Sequence, residues 1–244
     1  MNGLWHYSQP IVDPELSDRT VLWRYLDTAK FFHLLHTEAL FLCRGDRFDD
    51  KFEGSFTPSW RAAIKDAYEK HHLPGGYDEF RRRLRSTVFI NCWHRNPHDS
   101  MAMWSLYGRS ETAVAITTTV GQLRQALQYV GQGQIFIDKV TYTNHWKDPQ
   151  ISITPYCKVF AHKVQGYAFE REVRVILDLY SDEQTYLDQP PGISVRAPLL
   201  TLLRSVVLSP SAPKWFDEMI RSEMDRRGFG KVPVRNSKLS STPL

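Results

Sequence analysis

Two glutamates two residues apart, Glu170 and Glu172, open the run Tyr167-Ala-Phe-Glu-Arg-Glu-Val-Arg-Val-Ile-Leu177, whose Val, Ile and Leu content reads as a β-strand. That spacing puts both carboxylates on one strand face. There, mutual repulsion raises one pKa and lets the pair divide acid/base and hydrogen-bonding work. The same spacing also suits a solvated strand end with Arg171 and Arg174 as counter-charges. A second candidate is Arg24, set between Trp23 and Tyr25 in an apolar stretch, because a guanidinium embedded in a strand calls for a carboxylate or phosphate partner. A third is the turn-rich loop Gly45-Asp-Arg-Phe-Asp-Asp-Lys-Phe-Glu-Gly54, which offers Asp49, Asp50 and Glu53 to line a cleft. Trp104 and Tyr107, three apart on an expected helix, present either a flat surface for a base or nicotinamide ring or, as aromatics at helical spacing more often do, part of the core.

Other chemistries find less support. Cys92, His94 and His98 carry zinc-ligand side chains, but Pro97 breaks any shared helix face and no second cysteine pair accompanies them, so no metal is expected. Glu172-Val-Arg174 is a poor version of the Glu-x-Lys of a magnesium-dependent nuclease, since arginine cannot serve as a base. There is no Gly-x-Ser-x-Gly elbow, and Gly131-Gln-Gly133 reads as a turn rather than a phosphate loop.

Several elements must position these residues. Strands are expected at 21–26, 39–43, 87–93, 112–117, 134–142, from Glu170 onward, near 203–208 and at 231–235. Helices are expected from Thr28 as cap, from Pro58 to Lys70, through the basic Arg81-Arg-Arg-Leu-Arg85 run, over 101–107 ending at Gly108, over 120–129 capped by Thr119, over 152–165 and from Pro213 to Arg227. Irregular alternation of this kind predicts an α+β fold, a single domain with a mixed, bent or split sheet flanked by helices, rather than a doubly wound one. The expected organisation is an N-terminal arm or lid at 1–20, one domain over 21–236 and a flexible tail at 237–244.

A chain of 244 residues with 31 Lys and Arg against 27 Asp and Glu is only mildly basic, and its charges alternate in sign, so nucleic-acid binding is not implied. The basic helix reads as a solvated amphipathic face. Three scattered cysteines, no basic start with an apolar h-region and no apolar run of membrane-spanning length lead to the expectation of a soluble, cytoplasmic chain.

Leu22-Trp-Arg-Tyr25, Phe48-Asp-Asp-Lys-Phe-Glu53, Asn91-Cys-Trp93, Met103-Trp-Ser-Leu-Tyr107 and Phe169-Glu-Arg-Glu-Val-Arg174, taken in order and spacing over about residues 20–235, resemble a bacterial domain-of-unknown-function family, the one numbered 2971. That family commonly shows Phe-Asn-Asp-Pro-Phe-Glu at the acidic loop, so Asp49 and Lys51 depart from it while Asp50 and Glu53 keep it. More distantly, Arg24 and the Glu170/Glu172 pair resemble the first and third elements of Arg-Ser-Glu ADP-ribosyltransferases.

This second resemblance implies an NAD-using transferase or hydrolase acting on a macromolecule, in the manner of a bacterial toxin or defence effector. Arg24, with Tyr25 beside it, would hold the pyrophosphate or ribose. Glu172 would bond the nicotinamide ribose and stabilise an oxocarbenium-like transition state, and Glu170 would orient or deprotonate an acceptor. The middle Ser-Thr-Ser element is absent, its place taken by Asn91-Cys92-Trp93. The competing reading is a non-catalytic interaction or sensor module in which Arg24, Asp50, Glu53, Glu172 and Arg174 form a buried ion-pair network that serves the fold and an unidentified partner.

Overall fold

The computed structural model describes residues 7–48, 50, 52–127, 129–130, 133–180 and 189–240. Its strands run β1 Tyr7–Ser8, β2 Ile11–Val12, β3 Val21–Leu26, β4 Ala39–Arg44, β5 Val88–Arg95, β6 Val114–Thr119 and β7 Tyr129–Val130, then β8 Gln134–Lys139, β9 Thr141–Thr143, β10 His162–Val164, β11 Glu172–Asp178, β12 Gly192–Arg196, β13 Ser205–Leu208 and β14 Val234–Asn236. The α-helices are α1 Thr28–Thr37, α2 Pro58–Lys70, α3 Gly76–Thr87, α4 Met101–Met103, α5 Val120–Ala126, α6 Leu199–Leu202 and α7 Lys214–Arg226. Parallel and antiparallel pairings mix, and the fold is α+β.

The chain divides into two compact units, each gathered from three stretches. The first comprises residues 1–13, 41–91 and 129–194. In it β11 pairs antiparallel with β8 from Val173 opposite Lys139 to Asp178 opposite Gln134. β8 pairs parallel with β2, and β9 pairs parallel with β10. All seven residues of β11 are buried, which its near-continuous apolar run requires. The second unit comprises residues 14–40, 92–128 and 195–244. There β3 and β6 pair antiparallel along their whole length, and β13 joins β6 antiparallel and β14 parallel. Val21, Trp23 and Tyr25 leave one face of β3 to pack with Met103, Trp104, Ala113, Ala115 and Val207.

Several expected boundaries shift for identifiable reasons. Asp27 rather than Thr28 caps α1, its carboxylate accepting from the Lys30 amide at 2.8 Å. Thr119 does cap α5. The helix expected to stop at Gly108 turns from α into a five-residue π segment, Trp104–Gly108, and the left-handed residue is Arg109, at φ 58°. Gly108 is needed instead for close approach: a Cβ there would meet the Trp104 ring at 3.0 Å. The helix expected over 152–165 is a 3-10 segment, Tyr156–Ala161, followed by β10. Cys157, Val159, Phe160 and Ala161 are all buried, more than one stripe of a surface helix accommodates. β12 and α6 went unread, as did the short strands β1, β2 and β7. Ser237 is buried and its hydroxyl donates to Asp99, and residues 238–240 form a 3-10 turn, so the tail is folded as far as Ser240.

The acidic loop is anchored on Phe160. A Cβ at Gly45 would lie 2.7 Å from that ring and one at Gly54 2.6 Å, and Gly54 has φ +64°. Gly54→Ala meets both the left-handed penalty and a clash with a buried ring, so a loss of about 2–4 kcal/mol is expected in urea denaturation. An unchanged midpoint would show that the loop is not seated on Phe160 in solution.

Candidate functional site

Glu172, the first residue of β11, sits in a buried cluster within the first unit. Arg174, with no exposed surface, is at its centre. Its Nε donates to Glu172 Oε2 at 2.6 Å, and its two terminal nitrogens donate to the two oxygens of Glu53, each at 2.7 Å. It also donates to the Phe160 carbonyl at 2.7 Å. Lys163 closes the other side, donating to Glu170 Oε2 at 2.5 Å and Glu172 Oε1 at 2.7 Å, with its ammonium 4.3 Å from the Tyr167 ring centre. The Glu172 amide donates to the Tyr142 hydroxyl at 2.7 Å.

Local backbone chemistry delivers each member. In the acidic loop Asp50 accepts from the Phe52 amide with its side chain and from the Glu53 amide with its carbonyl, an Asx turn over a β-turn, and Gly54 follows in the left-handed region. Asp50 thus aims Glu53; among the described residues it forms no ion pair in the cluster, and its second oxygen is buried without a partner. Glu170 is not on the strand as expected. It ends the 3-10 segment Gln165–Glu170, and Arg171, at φ 44°, turns the chain between it and β11. That left-handed turn, not strand alternation, lets both glutamates reach Lys163.

The pair does not simply repel. Burial works against ionisation of Glu172, but Arg174, a hydrogen bond with Glu170 and the charge of Lys163 outweigh it and hold Glu172 well below the usual carboxylate range. The expected rise in pKa is therefore a fall at Glu172. Burial likewise opposes the charge on Lys163, and Glu172 and Glu170 reverse that, pushing it above the usual lysine range. Glu170 and Glu172 share one ammonium, that of Lys163, which donates to both. The arrangement is a carboxyl pair around one buried cation, with Glu172 fixed further by Arg174.

Sequence reasoning singled out Glu53, Glu170, Glu172 and Arg174, and the structure brings these four together. It missed Lys163, because an isolated lysine in a segment read as helix gave no signal. Asp49 lies outside the described residues. Arg24 belongs to the second unit, where it is half-buried and donates to the Cys92 carbonyl at 3.4 Å. Among the described residues no carboxylate pairs with it, and burial pulls its pKa down to about 10 against a small opposing effect of Cys92. Tyr25 and Trp104 are core residues in an edge-to-face pair at 4.8 Å, and the Tyr25 hydroxyl accepts from the Ser100 amide at 3.0 Å. Tyr107 is exposed, so it and Trp104 do not form one flat surface. Among the described residues no three His, Cys, Asp or Glu side chains gather as a metal site, and no helix is long and apolar enough to cross a membrane.

No family model matches the chain, and no curated protein sequence does, so the resemblance to the family numbered 2971 rests on the five motifs alone. Solved structures of DarT from Thermus sp. 2.9 are similar to it at 10% sequence identity. The complex with NAD+ aligns over 92% of this chain and 98% of that chain at a TM-score of 0.42, and the complex with carba-NAD+ over the same shares at 0.41. The complex with ADP-ribosylated ssDNA aligns over 96% and 99% at 0.40.

Glu170→Gln keeps a carbonyl oxygen to accept from Lys163 and leaves Glu172 to balance that charge, so a loss of only about 1–2 kcal/mol is expected. Glu172→Gln leaves Arg174 and Lys163 undercompensated in a buried site and should cost about 3–5 kcal/mol. Equal costs in chemical denaturation would show that Glu172 is not the anion that holds the two cations of the cluster. Because the folded pKa of Glu172 is depressed, its contribution is full above the ordinary glutamate value of 4.5 and is lost as pH falls through the lower folded value. Wild-type stability should fall more steeply than that of Glu172→Gln on acidification below about pH 4.5.

Proposed function

We propose that the chain is an ADP-ribosyltransferase-like protein that uses NAD, either transferring ADP-ribose to a macromolecule or hydrolysing the dinucleotide. The observation that carries this reading is Arg24, a half-buried guanidinium on a central stretch of β3 with no carboxylate partner among the described residues. A phosphate diester supplies the charge that such a group lacks, and the forked guanidinium suits a pyrophosphate. The Glu170/Glu172 pair fits the same chemistry. Departure of nicotinamide leaves positive charge on the ribose, and an ionised carboxylate already fixed by Arg174 and Lys163 stabilises that charge without reorganising. Glu172 is held too acidic to be an effective base at neutral pH, so proton transfer to or from an acceptor falls to Glu170. Phe169, exposed on the segment that ends in Glu170, offers a ring face next to the pair in the chain. The acceptor is a macromolecule; the single-stranded DNA held by Thermus DarT makes nucleic acid one class to include among those tested.

A second reading is favoured by one observation: both oxygens of Glu172 already accept from cations of the cluster, and Arg174 is wholly buried. In this reading the cluster is a structural ion-pair network, and the chain is an interaction module. The nuclease reading gains nothing from the geometry, since Arg174 is committed to Glu53, Glu172 and the Phe160 carbonyl.

Nicotinamide release from NAD, with and without cell lysate as acceptor, distinguishes the two. Wild-type turnover should fall by about a hundredfold or more in Glu170→Gln, which is expected to stay folded, and in Arg24→Ala. Absence of turnover in wild type, together with a melting temperature indifferent to NAD, would reject the enzyme and leave the interaction module.

A further inference from the structure

A cavity of about 240 Å³ lies wholly within the second unit, far in character from the carboxylate cluster. Its apolar side is Val21, Trp23 and Val207, and two hydroxyls, Thr117 and Ser205, face each other there at 2.7 Å. Four basic side chains line it from separate segments: His98 from the loop before α4, Arg204 from the approach to β13, Arg235 from β14 and Lys238 from the 3-10 turn after it. Among the described residues none of these four forms an ion pair, although surface arginines and lysines elsewhere in the unit do, as Arg124 with Asp18 and Arg221 with Asp217. The lining carboxylate, Asp99, already accepts at one oxygen from the Ser237 hydroxyl and the Trp104 indole.

We infer that this cavity binds a phosphate-bearing small molecule, a phosphate monoester whose apolar or ring portion rests on Trp23. Three permanent cations and a histidine converging on one concavity repel one another, and an anion relieves that repulsion. Guanidinium groups are donors that match phosphate oxygens. The volume is below that of ordinary drug-sized pockets, which suits a mononucleotide-sized ligand rather than a whole dinucleotide. The site is also distinct from Arg24, because successive strand residues face opposite sides and Trp23, not Arg24, lines the cavity. This site stands independently of the NAD reading.

Isothermal titration with inorganic phosphate, adenosine 5′-monophosphate and uncharged adenosine, at ionic strength matched with chloride, tests it. The monophosphate should bind more tightly than phosphate, and adenosine should bind least. Arg204→Ala combined with Arg235→Ala, both exposed positions whose circular dichroism should be unchanged, should weaken the monophosphate at least tenfold, whereas Arg24→Ala should leave its affinity within twofold. No heat beyond the chloride control, undiminished binding in the double variant, or loss of binding in Arg24→Ala would each overturn the assignment. Because the readout is monophosphate binding rather than turnover, failure of the NAD assay does not affect it, nor does success of that assay support it.

Discussion

A guanidinium with no access to water must have its charge and its donors answered by the protein, and Arg174 imposes that requirement on three separate pieces of chain. The acidic loop must present Glu53 in a two-pronged pairing, the 3-10 segment must turn the Phe160 carbonyl inward, and the first residue of β11 must be an anion. Burial of such a charge is costly unless it is paired and hydrogen-bonded, so these pieces cannot move independently. The glycines at 45 and 54 follow from the same demand, because the loop reaches Arg174 only by lying against the Phe160 ring.

The second cation of the cluster ties the glutamate pair together. Lys163 touches both carboxyl groups, and together with Arg174 it holds Glu172 ionised. Two like side chains two residues apart thereby acquire different surroundings, Glu172 meeting both Arg174 and Lys163 and Glu170 meeting Lys163. A saturated network of this kind is rigid. In the second unit, by contrast, Arg24 has no carboxylate partner among the described residues, and a cavity lined by basic side chains lies on the other face of β3.

Much of the α+β architecture was legible in the sequence, because strong local signals marked it. Pro58 opened α2 where expected, Thr119 capped α5, and the Val-Ile-Leu run became a fully buried strand. Legibility failed where burial overrode periodicity. The segment from 152 to 165 has helical spacing of apolar residues, yet four of the six residues in its 3-10 turn are buried and the chain passes into β10. Gly108 resembled a helix-ending glycine but serves close packing against Trp104, and the left-handed position falls on Arg109.

The sequence by itself determined which charged residues would matter, since Glu53, Glu170, Glu172 and Arg174 are polar groups inside or beside apolar runs, and such groups require partners. It did not determine which partners. That Glu170 leaves the strand, that Asp50 shapes a turn instead of pairing and that Lys163 bridges the two glutamates depend on contacts between residues as far apart as 53 and 174. Side-chain charge is a local property of the chain, but the field that holds a buried carboxylate ionised is a sum over groups that only the tertiary fold brings within a few ångströms.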